Sequence, residues 1–258
     1  MRHDDRALSD VLAFVLIFAV MIASVGLIGA VGFDTVGEVR DSEQLSSAEL
    51  SMAELSDQLT GIADHESPVR SSELRVGGAT VAVTEGVTLT ITVSGEGPTT
   101  WNETVELGAL EYQLGDTTIA TVGGAVIRID DGHGYMLEEP PFLVTEELAR
   151  LNLLSVGALR DTTSITTEQP IQIQSHHQHT QLLEPSNRSY LYDIETIEIE
   201  VEGDGPMVDA WERYFSSHEH WGEDGDGWIA PMNDAGEESS FSQGVIIRRT
   251  HIGFHFIR

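Results

Sequence analysis

No cysteine occurs in the 258 residues, and no lysine either: all 13 basic residues are arginines. The first absence excludes disulfides and thiolate metal sites, but it assigns no compartment. The second, set against 43 aspartates and glutamates, leaves a formal net charge of -30. A uniformly acidic surface repels phosphates, which excludes nucleic acid as a partner. The acids are spread along the chain, not gathered in one tail. That balance fits a protein built for concentrated salt, where screening removes self-repulsion. Lysine depletion agrees, because its long apolar stem adds surface that salt drives together. Catalytic motifs are missing too: no GxSxG elbow, Walker loop, dinucleotide glycine fingerprint or HExxH pair is present. The chain therefore reads as non-enzymatic, with no cofactor.

What the chain does have is a hydrophobic run. Val11 to Phe33 contains no charge. At 1.5 Å per residue these 23 or so residues make a helix of roughly 34 Å, the length of a membrane span. A cleaved secretory signal has a shorter apolar region, about 7–15 residues. Arg2 and Arg6 precede the run, while Asp34 and Glu38 follow it. Positive-inside logic puts the N-terminus in the cytoplasm and the rest outside. Ala19, Ala23, Gly26 and Ala30 recur near one face, where helix backbones can approach closely.

Next comes "QLSSAELSMAELSDQLTGI", in which Leu45, Ala48, Met52, Leu55, Leu59 and Ile62 are spaced 3, 4, 3, 4, 3. Such spacing gives a narrow apolar stripe on a helix, and the stripe needs a partner surface. Gly61 and "ESP" at Glu66–Pro68 stop it.

Arg6-Ala7 followed by "LSDVLAFVLIF" resembles the class III signal peptide of archaeal type IV pilins and haloarchaeal pilin-like proteins. The resemblance implies that a prepilin peptidase cuts between Ala7 and Leu8 and leaves the apolar helix on the mature chain. Arg6, Ala7 and Leu8 are then the processing residues. It also implies assembly with other pilin-like subunits and a β-rich extracellular domain on a long N-terminal helix. Asp10 stands where abundant haloarchaeal pilins carry proline, and Leu12 where bacterial pilins carry glutamate. Both differences point to a minor or pilin-like role in surface structure or adhesion. An uncleaved single-pass surface anchor, or an anchored metal-binding module or hydrolase, are the alternatives.

Beyond Pro68 the period changes. Val87, Leu89, Ile91 and Val93 alternate with threonines as a half-buried strand, and "VGGATVAV" across "TEG" predicts a hairpin with it. Further strands are predicted at "TVELGALEYQL", "TIATV", "AVIRI", Ile197–Val201 and from Val245 onward. Pro206 and "MVDAWERYF" predict one short helix with Met207, Trp211 and Phe215 on one side. The expected fold class is α+β. A long N-terminal transmembrane and amphipathic helix precedes a mainly antiparallel β head with one short helix. The expected divisions are a leader over 1–7, a helix over 8–66 (transmembrane 11–33, amphipathic 38–62) and a β-rich domain over 67–258. The implied location is the cell membrane, single-pass, with the C-terminal domain extracellular.

Two histidine groups stand out: His176, His177 and His179, then His218 and His220. On extended backbone His177 and His179 share a side, as do His218 and His220, and such pairs suit a transition metal. Use as polar residues in exposed loops accounts for them better, and no metal is expected. The sequons at Asn102 and Asn187 accept glycan in an external domain.

Overall fold

The computed structural model of the protein describes residues 4–64, 67–95, 100–183, 194–203, 205–225, 227–232, 238, 240–241 and 244–257. Two compact units divide it, Met1–Ser46 and Ser47–Arg258.

Helix α1 runs Asp4–Ala63. Then come β1 (Val69–Arg75), β2 (Thr80–Thr84), β3 (Val87–Gly95), β4 (Trp101–Glu106) and β5 (Ala109–Leu114). They are followed by β6 (Thr117–Val122), β7 (Ala125–Asp130), β8 (His133–Glu138), β9 (Phe142–Val144) and β10 (Leu148–Ala158). Strands β11 (Ser164–Thr166), β12 (Pro170–Leu182) and β13 (Ile194–Gly203) precede helix α2 (Gly205–Ser217). The last are β14 (Gly222–Asp224), β15 (Gly227–Ala230) and β16 (Gly244–Ile257).

Within α1, side chains are described at residues 12–26 and 39–63. In the first unit Leu12 to Gly26 are all exposed. Among the described residues no helix is long and apolar enough to cross a membrane. This overturns the expected transmembrane span and the single-pass localisation with an extracellular C-terminal domain. The expected picture of a membrane-held surface protein from a salt-loving archaeal cell falls with it, since nothing in the fold carries it. The α+β class is corrected as well. Among the described residues, sixteen strands in three sheets hold the core of the second unit, so the architecture is mainly β.

The first sheet has the order β1-β12-β16-β10-β9. At its centre β10 and β16 run parallel over their whole shared length, while the other strand pairs described are antiparallel, as expected for most of the head. The second sheet, β11-β2-β5-β6-β7-β8, contains an antiparallel meander from β5 to β8. The third has the order β14-β15-β13-β3-β4. The hairpin expected across "TEG" does not form: β2 pairs with β5 and β11, whereas β3 pairs with β4 and β13. Gly86, with φ at +68°, makes the crossing between the two sheets. It lies so close to the Gly108 backbone that a Cβ there would overlap it. Gly108, also at positive φ, likewise breaks "TVELGALEYQL" into β4 and β5.

Strand β16 buries apolar residues on both faces. Val245 and Ile247 join a core with Leu151, Leu153, Leu89, Ile91, Ile197 and Ile199. Trp211 and Phe215 of α2 cap that core. Ile252, Phe254 and Phe256 lie on the opposite face and are also buried. The helical stripe belongs to that side: Ala48, Met52, Leu55, Leu59 and Ile62 are at most 2% exposed. Polar contacts fix its register. Gln58 Oε1 accepts from Ser72 Oγ at 2.6 Å, and Arg248 Nη2 meets Asp64 at 2.5 Å. Ser56 Oγ donates to the Gly124 carbonyl at 2.6 Å, and Arg128 bridges Glu49 to Asp130. The C-terminal part of the helix is thus part of the second unit, not a separate stalk.

Leu55→Asp with Leu59→Asp places two carboxylates in this buried interface. Removing the leucines alone costs about 2–5 kcal/mol each, and burying charge adds to it. The double variant should unfold at far lower denaturant than the wild type and become protease-sensitive beyond residue 67. Unchanged melting and proteolysis would refute this packing role.

Candidate functional site

The first group of predicted histidines lies on β12, opposite β16. Register between these strands slips at Gln178: His177 pairs with Ile252 and His179 with His251. This bulge undoes the simple alternation that put His177 and His179 on one side. His177 Nε2 instead lies 2.8 Å from Thr180 Oγ1, which lies 3.1 Å from Thr250 Oγ1. His179 stacks on the His251 ring, centroids 5.5 Å apart and planes at 29°. His176 Nε2 is 3.4 Å from Gln174 Oε1.

His218 and His220 follow α2, where the chain turns instead of extending. His218 Nδ1 donates to the Tyr214 carbonyl at 2.7 Å and its Nε2 lies 3.4 Å from Glu139. His220 lies 3.6 Å from Glu219. Each histidine is thus engaged locally and the two do not converge. Among the described residues no group of three or more histidines and carboxylates is arranged to hold a metal ion. The Tyr214 hydroxyl is held far above its ordinary range by burial and then by Glu139, so it stays protonated.

The remaining predicted residues divide between exposed and undescribed positions. Ala19, Ala23 and Gly26 are exposed on α1, and Asn102 is exposed on the edge strand β4. The side chains of Arg6, Ala7, Leu8 and Ala30 lie outside the described ones, and Asn187 lies outside the described residues.

The sequence reading missed His251 and His255. They are four residues apart on β16, hence on the same face. Ser155 Oγ on β10 donates to the Glu106 carbonyl at 2.9 Å, so toward His251 it accepts. Its contact with His251 Nδ1, at 3.3 Å, therefore places the neutral ring's proton on Nδ1. Burial pushes the His251 pKa below the ordinary histidine value, and His179 and then Arg249 add to the shift.

Charge is unevenly distributed over the sheets. The 48 residues of β1, β9, β10, β12 and β16 hold five arginines, five histidines and one carboxylate, Glu73. At the chain's average of one acid in six residues this sheet would hold about eight. On the face carrying the His179–His251 stack, alternation also places Arg75, His176, Arg249 and His255. All of these are exposed or half-buried. The arrangement can receive anionic groups, and more strongly as the imidazoles protonate.

The chain belongs to a family of unknown function (DUF7289), whose match covers residues 6–242. No curated protein and no solved structure matches it.

By NMR, the His251 ring should titrate below pH 6.5, and His179→Gln should move its midpoint upward by removing a neighbouring positive charge. The unfolded chain binds this proton more readily than the folded one. Stability from His251 is therefore complete above about pH 6.5 and is lost as pH falls through the folded midpoint. A midpoint that stays put in His179→Gln would show that the stack carries no electrostatic coupling.

Proposed function

We propose that this member of the DUF7289 family is a pilin-like structural subunit, serving structure or adhesion and not catalysis. In this reading it assembles with other pilin-like subunits through the N-terminal part of α1. The observation that carries it is the contrast along that one helix. Residues from Ala48 to Ile62 bury their apolar stripe within the second unit. Leu12, Phe14, Val15, Leu16, Ile17 and Phe18 are 54–69% exposed. A helix apolar on all sides is unfavourable in water and calls for apolar neighbours. Copies of the same helix supply such neighbours, and exposed Ala19, Ala23 and Gly26 let backbones approach. A Cβ at Gly26 would meet nothing within 4 Å, so that surface is open.

The leader supports the same reading. Cutting between Ala7 and Leu8 by a prepilin peptidase would remove Arg2 and Arg6 and leave an apolar tip. A tip without fixed charge can pack among like helices, whereas arginine there costs several kcal/mol to desolvate.

Mass spectrometry of the protein from cells with an active prepilin peptidase should find Leu8 at the N-terminus. Arg6→Glu or Ala7→Leu should leave Met1 or Arg2 there and abolish assembly. Wild-type protein that keeps its first seven residues would defeat this reading.

A further inference from the structure

The basic sheet has an acidic counterpart in the same chain. The 32 residues of β3, β4, β13, β14 and β15 hold eight carboxylates and neither arginine nor histidine. Ile197 and Ile199 of β13 point into the core, so Glu198, Glu200 and Glu202 point outward. Register sets Thr88, Thr90 and Thr92 beside them, then Thr104 and Glu106 on β4. The Glu198 carboxyl is held above its ordinary value by burial, then by Asp224 and Glu200. This outer face is crowded with like charge, which a cationic surface would relieve.

We propose that the arginine- and histidine-bearing face of β1, β12 and β16 docks on the outer glutamate face of β13, β3 and β4 in a second copy of this chain. Charge complementarity selects that occupant: in a chain of net charge -30, this sheet holds a single carboxylate, Glu73, among its 48 strand residues. The two faces differ, so the contact is heterologous. Each copy keeps one free face of each kind, and the contact propagates instead of closing. The proposal builds on the assembly reading but uses none of the helix residues, so the two fail separately.

Magnitudes set its conditions. Arg75 and Arg249 are charged at neutral pH and Glu73 opposes them. The imidazole side chains on this face add positive charge as pH falls. Arg160 and Asp161, exposed beyond β10, offset each other. The overall repulsion between copies is long-ranged and is screened beyond ~8 Å at 0.15 M salt, whereas contact pairs weaken mainly near 1 M. Docking is therefore strongest at slightly acidic pH and moderate salt.

Because the chain lacks cysteine, cross-linking can report the contact directly. Gln172→Cys with Glu202→Cys in the full chain marks one exposed position on each face. A short bis-maleimide should join copies into a ladder of multimers at pH 6.5 and 0.15 M salt. Yield should be several-fold above that of Asp116→Cys with Glu202→Cys, where Asp116 is an exposed turn outside the basic sheet. It should fall toward that control at pH 8 or in 1 M salt. Glu106→Arg with Glu200→Arg added to the marked chain should also abolish the ladder. Yields equal to the control, with helix-dependent assembly intact, would overturn this proposal and leave the assembly reading standing.

Discussion

The second unit depends on covering both faces of β16. Sandwiched between β12 and β10, this strand presents Val245 and Ile247 to one side and Ile252, Phe254 and Phe256 to the other. A strand that buries apolar residues on both faces needs two covers. The core under α2 and the third sheet supplies one, and the stripe from Ala48 to Ile62 supplies the other. This explains why an amphipathic helical segment lies in the same compact unit as the strands. It also explains why that stripe is narrow: it is one helix face laid on one sheet, with serine, glutamine and glutamate at its margins bonded to the strands.

Local periodicity made much of this legible in the sequence. Alternation marked β3, β13 and the C-terminal half of β16, and the 3-4 spacing marked the part of α1 that is buried. Pro206 with Met207, Trp211 and Phe215 marked α2. What failed was long-range. Nothing local distinguishes a hairpin across "TEG" from a chain crossing between sheets; the close approach of Gly86 to Gly108 decides it. Nothing local announces that β10 and β16 run parallel. The apolar run near the N-terminus was read by its length as a membrane span, whereas among the described residues no helix is long and apolar enough to cross one.

The candidate site follows the same division. His179 was visible in the sequence, but its partner His251 lies 72 positions away and is found only through the register of β12 with β16. One extra residue, Gln178, turns His177 to the other face and dissolves the pair that alternation predicted. Charge was misread for a related reason. The acids are scattered in sequence, so they look uniform, yet grouping strands by sheet separates one carboxylate in 48 residues from eight in 32. The segregation belongs to the topology, not to any window of sequence.

The parallel pair β10–β16 has a kinetic consequence. Leu148 aligns with Gly244, so nearly a hundred residues separate partners that must meet at the centre of the first sheet. Loop closure of that span precedes any reward from the contact, which makes this step slow. The β5–β8 meander, by contrast, is joined by short turns and can form while synthesis continues. Until β16 emerges, β10 and β12 have exposed apolar edges and no central strand between them. The nascent chain therefore passes through an aggregation-prone interval before β16 emerges, and a chaperone that shields strand edges would act on it then.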